Sequence, residues 1–381
     1  MRKLTFLFLV AAFGPAMHAQ TRVSVSQMDP LLASLHHKSD AKGARQLVGL
    51  ELTERATSAW LERWETELPG THTREALAAL ADASAFLDLP AADLPAEAPP
   101  DLATQEQIFS RITDYVSKTL HKLPNFSALR ITTYYEWATP QQLLQQLQTR
   151  VYTLSNSKPT FRSLGAVNLG ESKGTSLFIA GTWNMLVTYR DGLEISDTPA
   201  EKGRHERPPA ASISTEGEFG PILYVVLGDA IHGEVTWGHW EHGKDGLLAV
   251  FHYEVPSRFS HYAVKSFEGG PEKYPTYQGE IAVDPASGTI YRITIKAEKP
   301  LSATMAESSI LVEYGPVTIG GSVYICPVRA VALSKQLALN SNGGAQDASA
   351  PVRIYVNDVA FTQYHVFRAE ARILPGNPAA P

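Results

Sequence analysis

The second half of the chain consists of short β-strand patterns separated by residues typical of tight turns. Asp191-Gly192 follows the run NMLVTYR, and this pair suits a two-residue hairpin loop with positive φ angles. In YQGEIAVDPASGTIYRITIKAE, Pro285 presets a turn and Gly288 can adopt the left-handed conformation. Gly320-Gly321 separates two further strands. Roughly ten strands joined by such short turns predict an antiparallel sheet, open or partly closed.

Helical periodicity replaces this pattern before Pro124. Residues 51–70, ELTERATSAWLERWETELPG, place apolar side chains at helical spacing and predict one helix. Thr104 and Gln107 fit a capping box at the start of a later helix. GPILYVVLGDAIHG predicts a helix inserted among the strands near residues 221–231, because Pro221 suits its first turn. The predicted fold class is α+β: a helical N-terminal region, then a large, curved antiparallel sheet resembling an open half-barrel, with one inserted helix.

The first 19 residues have the features of a secretory signal peptide. Arg2 and Lys3 precede an apolar run that is too short to cross a membrane, and cleavage is expected after Ala19. The rest divides into a helical region over 20–88, a Pro/Ala-rich linker over 89–101, a helix-plus-sheet domain over 102–375 and a disordered tail over 376–381. We therefore expect a periplasmic or secreted protein with no membrane span after signal removal.

Charge and cysteine content exclude several classes of protein. The chain has 33 basic and 39 acidic residues, and this acidic balance argues against nucleic-acid binding, which depends on basic patches. The single cysteine, Cys326, permits no disulfide framework within the chain. We expect Cys326 to be a small core residue, with a reactive thiol as the alternative.

The densest group of chemically active side chains lies in IHGEVTWGHWEHG, residues 231–243. If the following hairpin loop spans 242–246, His239 and His252 lie on opposite faces. If the loop spans 243–246, His239, Glu241, His252 and Glu254 share one face with Trp237, and this face offers a His and carboxylate ligand set. Both loop lengths are common, so the register stays open. We expect no metal or cofactor, with these four residues as the candidate ligands if a metal binds.

Other catalytic patterns lack the structural context that they need. GESKG, residues 170–174, matches the nucleophile elbow around Ser172, but a strand rather than a helix follows it. SNSK, residues 155–158, lies in a polar stretch without partner motifs. Glu280 and Arg292 are interpreted as a cross-strand ion pair rather than an acid/base couple. The sequence therefore assigns no catalytic residue and no ligand-binding residue, and the chain is not expected to be an enzyme.

Several strings resemble a group of exported, uncharacterised acidobacterial proteins, and they cover most of the mature chain. The strings are FRSLGAVNLGESKGTSLFIAGTWNMLVTYRDGLEI, GEFGPIL, YQGEIAVDPASGTIYRI, VEYGPVTIGGSVYICPV, LVGLELTERATSAWL and LADASAFLDLP. The resemblance implies no particular activity. The order of long strands, inserted helix and hairpins is also similar to the open half-barrel of periplasmic lipoprotein carriers of the LolA/LolB type. That likeness implies a concave face that holds acyl chains, but it transfers no ligand contacts.

The stretches SLFIAGTW, ILYVV and LLAVF are apolar at consecutive positions, which favours strands covered on both faces. The cover is either packed helices or a bound apolar ligand. The leading hypothesis is an exported, non-enzymatic binding or carrier module for an apolar ligand such as a lipid or acyl chain. A sheet interior filled by side chains would count against it.

Two alternatives remain. One is a metal-dependent hydrolase on the 231–254 hairpin. The other is an envelope scaffold that binds a protein partner through its N-terminal helices, which would expose an apolar face around Trp60 and Trp64. The polar stretches 198–217 and 336–351 are interpreted as lids or disordered loops.

Overall fold

The computed structural model describes residues 21–68, 70–119, 122–138, 176–197, 217–264, 272–298, 301, 305–337 and 352–366. The predicted signal peptide, the GESKG and SNSK motifs and the C-terminal tail lie outside the described residues, as do nearly all of the two polar stretches. The division of the chain into domains stays a prediction.

Short helices and one small parallel pair of strands form the N-terminal part. The elements in chain order are β1 Thr21–Val23, α1 Val25–Leu35, α2 Asp40–Val48, β2 Leu50–Leu52, α3 Ser58–Glu67, α4 Thr71–Ala83 and α5 Leu102–Thr119. Met28, Leu32, Leu47, Trp64 and Leu77 are fully buried between α1–α4 and the small sheet. This apolar cluster stabilises the four helices, because isolated helices of this length are only marginally stable in water.

Two sequence predictions about the helices are wrong in detail. Residues 51–70 do not form one helix: β2 ends at Leu52 and α3 begins at Ser58, where Thr57 accepts a hydrogen bond from the Trp60 amide. The start of α5 is capped by Asp101, whose Oδ1 accepts from the Thr104 amide at 2.8 Å, and not by Thr104 itself. In both places a polar side chain just outside the apolar stripe determines where the helix begins.

Ten strands of the described residues form one antiparallel sheet, in the order β5-β4-β3-β12-β11-β10-β9-β8-β7-β6. The strands are β3 Phe126–Ala138, β4 Ser176–Arg190, β5 Leu193–Asp197, β6 Glu234–His242, β7 Leu247–Val255, β8 Tyr277–Val283, β9 Ile290–Glu298, β10 Met305–Ile319, β11 Ser322–Leu337 and β12 Val352–Val366. The sheet is not closed into a barrel, and register shifts interrupt several of its pairings. The predicted α+β class, with helices first and a large antiparallel sheet after them, is confirmed.

The predicted hairpin turns are present. Asp191 and Gly192, with φ angles of 53° and 83°, connect β4 to β5. Gly320 and Gly321, with φ angles of 60° and 89°, connect β10 to β11. These positive φ angles explain why Asp-Gly and Gly-Gly occupy the two turns.

The inner face of the sheet, defined by Phe126, Val187, Phe251, Ile293 and Val359, carries the main apolar core. The inserted helix, α6 Pro221–Ala230, lies on this face together with α5. Its position agrees with the predicted helix near 221–231, and Pro221 occupies the first turn as predicted.

The outer face, defined by Tyr135, Leu311, Val331, Leu333 and Val356, packs against the C-terminal end of α4. The sheet is therefore covered on both sides. β7 shows this within one strand, because the neighbouring residues Ala249 and Val250 are both fully buried while their side chains point to opposite faces. No helix of the described residues is long and apolar enough to cross a membrane.

Candidate functional site

The pairing of β6 with β7 resolves the register that the sequence left open. His242 pairs with Leu247, Glu241 with Leu248 and His239 with Val250, so the loop is the shorter of the two. His239, Glu241, His252 and Glu254 therefore share the outer face.

Trp237 does not share that face, because a β-bulge at Gly238 shifts the register between Trp237 and His239. Trp237 turns to the inner face, where its ring lies 4.9 Å from Trp240 and 5.5 Å from Phe251. A Cβ at position 238 would lie 2.7 Å from His252 Nε2, so glycine allows the imidazole to lie against the bulge.

Three of the outer-face side chains converge on one point. One ligand atom each from His239, His252 and Glu280 lies within 4.8 Å of the others. Glu280 comes from β8, where it pairs directly with His252. His239 and His252, two of the four predicted candidate ligands, therefore belong to one group. Glu254 lies opposite Glu234 at the far end of the hairpin and is not part of this group.

Glu241, the remaining candidate, belongs to a buried ion-pair network. Arg292 donates to both of its carboxylate oxygens, and Arg55 from the segment before α3 donates to Oε2 at 3.0 Å. Glu280 Oε2 accepts from Arg292 at 3.1 Å and lies 3.6 Å from Arg55 Nη1. The predicted Glu280–Arg292 ion pair is therefore present, as one contact of a larger network.

The network keeps Glu241 ionised. Burial alone would raise the pKa of this carboxyl group, but the neighbouring guanidinium groups, Arg292 first, outweigh burial and hold the pKa far below its usual range. The two glutamates and two arginines balance in charge. Glu241 therefore ties an N-terminal segment to the sheet and is not available as a metal ligand.

A second ionic cluster lies beside the first on the outer face. Arg329 of β11 binds Asp82 of α4 and lies 3.1 Å from Asp358 of β12, while Ser58 of α3 donates to Glu313 of β10. A cavity of about 40 Å³ between the two clusters is lined by both sets of charged side chains. This volume suits ordered water rather than an organic ligand.

The inner face contains a buried acidic group where α6 begins. Glu194 Oε2 of β5 accepts from the Gly217 and Phe219 amides at 3.0 and 3.3 Å. Burial, followed by the charge of Glu218, raises the pKa of Glu194 to about 8. Arg130 of β3 pairs with Glu218 at 3.1 Å. The start of α6 is therefore held by the Glu194 carboxyl group, whose raised pKa favours the neutral form, and by the buried Arg130–Glu218 ion pair.

The end of α6 is attached by Asp229. This buried carboxylate accepts from the His261 amide at 2.7 Å and from Tyr277 Oη at 2.8 Å, and its other oxygen lies 2.5 Å from His261 Nδ1. The hydrogen bond from His261 to Asp229, and the carboxylate charge, raise the pKa of this exposed imidazole. Asp229 thus connects the helix to the segment after β7 and to β8.

Cys326 and the two tryptophans of α3 occupy buried or partly buried positions. Burial raises the pKa of the Cys326 thiol to about 12, which disfavours the reactive thiolate. Trp64 is fully buried and donates to Asp29, while the partly buried Trp60 donates to Asp93. The exposed apolar face that the scaffold hypothesis requires around Trp60 and Trp64 is therefore not formed.

No family model matches the chain, and no curated protein matches it. Among solved structures, the chain is similar to a LolA superfamily protein from Nitrosomonas europaea, with 10% sequence identity and a TM-score of 0.26. The match covers 70% of this chain and 94% of the other. A likeness at this level carries no functional information, so the function below follows from the contacts of this chain alone.

Proposed function

We propose that the chain is an exported, non-enzymatic binding module, acting in the periplasm or outside the cell, that holds an apolar ligand such as an acyl chain against the inner face of its sheet. One observation carries the proposal: the apolar inner face is covered, in the described part of the chain, by α5 and a ten-residue helix, α6, that is itself apolar around most of its circumference.

α6 fills the place that the ligand would take. Leu223, Val226 and Leu227 are buried against the inner face, and Phe219 just before the helix packs edge-on against Phe126 and Phe361. This filling among the described residues counts against the binding hypothesis as the sequence stated it, and it leaves only a form in which the ligand takes the place of α6. Binding therefore requires α6 to move, and an acyl chain would replace one apolar covering with another, so the exchange costs little hydrophobic free energy.

The attachments of α6 suit a helix that is displaced as a unit. Gly217 and Gly220, with φ angles of 93° and 153°, precede the helix and permit backbone conformations that other residues rarely adopt. At the other end, Asp229 holds the helix through polar contacts rather than through apolar packing. Tyr224 and Ile231 leave apolar surface on the solvent side, where a ligand or a membrane leaflet would first meet the helix.

Native mass spectrometry of the chain, purified gently from a bacterial periplasm, tests the proposal. We expect an adduct of lipid-like mass that is lost in organic solvent, and saturable binding of a fluorescent C16 fatty acid to the stripped protein. A bare chain mass together with no saturable fatty-acid binding would contradict it.

A variant of the attachment tests the role of α6. Asp229→Asn keeps the side-chain volume but weakens the hold on the end of the helix, so the open state becomes more populated and the fatty acid binds more tightly, by about threefold to tenfold. Asp245→Asn is the matched control, because Asp245 is an exposed carboxylate in the loop between β6 and β7 and lies outside the core around α5 and α6. Unchanged affinity in Asp229→Asn would mean that α6 does not gate the inner face.

A further inference from the structure

We propose that His239, His252 and Glu280 form a binding site for a zinc-type divalent cation on the outer face of the sheet. The site lies at the edge formed by β6, β7 and β8, on the opposite side of the sheet from the inner face, and it is independent of the proposed ligand binding. Two imidazoles and one carboxylate form a ligand set typical of zinc, with a fourth position left for water.

The spacing of the ligand atoms is close to what a tetrahedral ion requires. A zinc ion with bonds of about 2.1 Å holds its ligand atoms about 3.4 Å apart. His252 Nδ1 and Glu280 Oε1 are 3.5 Å apart, which matches this edge of the tetrahedron. His239 completes a group whose atoms all lie within 4.8 Å of one another, so small side-chain rotations bring the third ligand into place.

His239 has a buried nitrogen, Nε2, that lacks a hydrogen bond of normal length. Its Nε2 atom is inaccessible to solvent and has no hydrogen-bond partner among the described residues, since Glu241 Oε2 is 3.7 Å away. A buried polar atom without a partner costs free energy, and a bound cation would remove that cost.

The two carboxylate oxygens of Glu280 have different partners. Oε2 is held by Arg292 at 3.1 Å and approached by Arg55 at 3.6 Å, whereas Oε1 faces His252. The arginines therefore orient the carboxylate while leaving one oxygen for the ion, as hydrogen-bonded groups behind metal ligands do elsewhere. Their positive charges also weaken cation binding, so we expect a dissociation constant in the micromolar range rather than that of a structural zinc site.

The site is open to ions in solution. The side chain of His252 is 49% exposed, and that of His239 is 25% exposed. β6 is an edge strand of the sheet that the described residues form, and none of these residues adds a further strand beside it. The Gly238 bulge brings the two imidazole rings to 6.1 Å between centroids, a placement that a regular ladder would not give.

Titration of the metal-free full chain with Co²⁺ and Zn²⁺ tests the proposal. We expect one equivalent of Co²⁺ to give visible absorption typical of tetrahedral or five-coordinate cobalt, and Zn²⁺ to displace it. His239→Ala and His252→Ala should each weaken binding by about 100-fold.

His242→Ala is the matched control, because His242 lies on the same strand and is exposed but does not belong to the group. It should bind Co²⁺ within about twofold of the unaltered chain. Thermal unfolding provides a second readout: Zn²⁺ should raise the Tm of the unaltered chain and of His242→Ala, but not that of the other two variants. Absence of a stoichiometric Co²⁺ complex at 100 µM protein, about the level that micromolar affinity would saturate, or equal loss in His242→Ala, would overturn the proposal.

Discussion

At the scale of single residues, Glu241 shows how a candidate metal ligand can be committed to a structural task. Its carboxylate is shared by Arg292 of the sheet and Arg55 of the N-terminal segment. Glu241→Gln leaves both buried guanidinium groups with Glu280 as the remaining negative partner, and we expect a loss of about 3 kcal/mol of stability. Glu234→Gln, on the same strand but exposed, should change stability by less than about 0.5 kcal/mol.

The pH dependence of this loss has a definite sign. Because the folded state holds the pKa of Glu241 below its usual value of 4.5, the stabilisation is present above that value and is lost as pH falls through the folded pKa. Urea unfolding at several pH values should therefore show the gap between the chain and Glu241→Gln narrowing below about pH 4. A gap that is constant with pH would indicate a steric rather than an electrostatic effect.

The pH dependence of stability expected at Glu194 has the opposite sign. Its folded pKa of about 8 lies above the usual 4.5, so the folded state binds a proton that the unfolded state releases. The stability that this neutral carboxyl supports is complete below about pH 4.5 and is lost as pH rises toward about 8. Glu194→Gln keeps a carbonyl oxygen for the Gly217 and Phe219 amides. We expect this variant to unfold at higher urea than the unaltered chain at pH 8, and the two to converge at pH 5.

At the scale of elements, the turn between β8 and β9 holds α5 on the inner face. Gly288 has a φ angle of 73°, and a Cβ there would lie 2.3 Å from the Arg111 carbonyl oxygen of α5. Arg111 also donates to the Pro285 carbonyl at 2.8 Å. Gly288→Ala therefore adds a backbone clash to the strain of a left-handed alanine, and we expect a loss of about 3 kcal/mol or more.

Gly192→Ala separates these two contributions. Gly192 has a φ angle of 83°, but a Cβ there would meet no heavy atom within 4 Å, so this position carries the backbone strain alone, about 1 kcal/mol. Urea unfolding of both variants measures the difference, which reports the docking of α5. Equal losses in the two variants would show that α5 does not depend on this close approach.

The same turns show how much of the fold the sequence predicts. Asp-Gly, Pro-x-x-Gly and Gly-Gly are local signals with local causes, so the hairpins at Asp191, Pro285 and Gly320 follow from the sequence. The β6–β7 register does not follow, since both loop lengths are common and a single bulge at Gly238 reverses the orientation of Trp237. Local patterns identify strands, but they do not specify where two strands shift against each other.

The candidate site was predictable only in part for the same reason. His239 and His252 lie within one hairpin, and the shorter loop brings them together. Glu280 joins them through the pairing of β7 with β8, across a connection that begins after Val255 and ends at Tyr277. Arg55 arrives from about 186 residues away in the sequence. Contacts between residues so far apart in the sequence depend on tertiary packing, and the periodicity within a single strand or helix does not predict them.

At the scale of the whole molecule, buried ion pairs join the N-terminal helices to the sheet. Two buried ion pairs join the two parts: Arg55 of the N-terminal segment binds Glu241 of β6, and Asp82 of α4 binds Arg329 of β11. The end of α4 also packs on the apolar outer face. Truncating either side would leave charged groups buried without their partners, which is strongly destabilising. The two parts should therefore fold and unfold together, although a Pro/Ala-rich segment connects them.

Cleavage of that connection tests this directly. With a protease site inserted between Glu97 and Ala98, within the predicted linker over 89–101, the cut protein should elute from size-exclusion chromatography as one species. It should do so even in 1 M salt, where the Debye length is about 3 Å and exposed ion pairs are screened, because buried pairs and apolar packing are screened little.

Arg329→Ala in the cut protein removes the partner of Asp82, whose side chain is fully buried. This variant should therefore dissociate at lower urea than the cut protein itself, whereas Arg22→Ala, at an exposed 4.0 Å pair with Glu51, should not. Separation of the fragments at low salt without denaturant would mean that the connection, rather than these contacts, holds the two parts together.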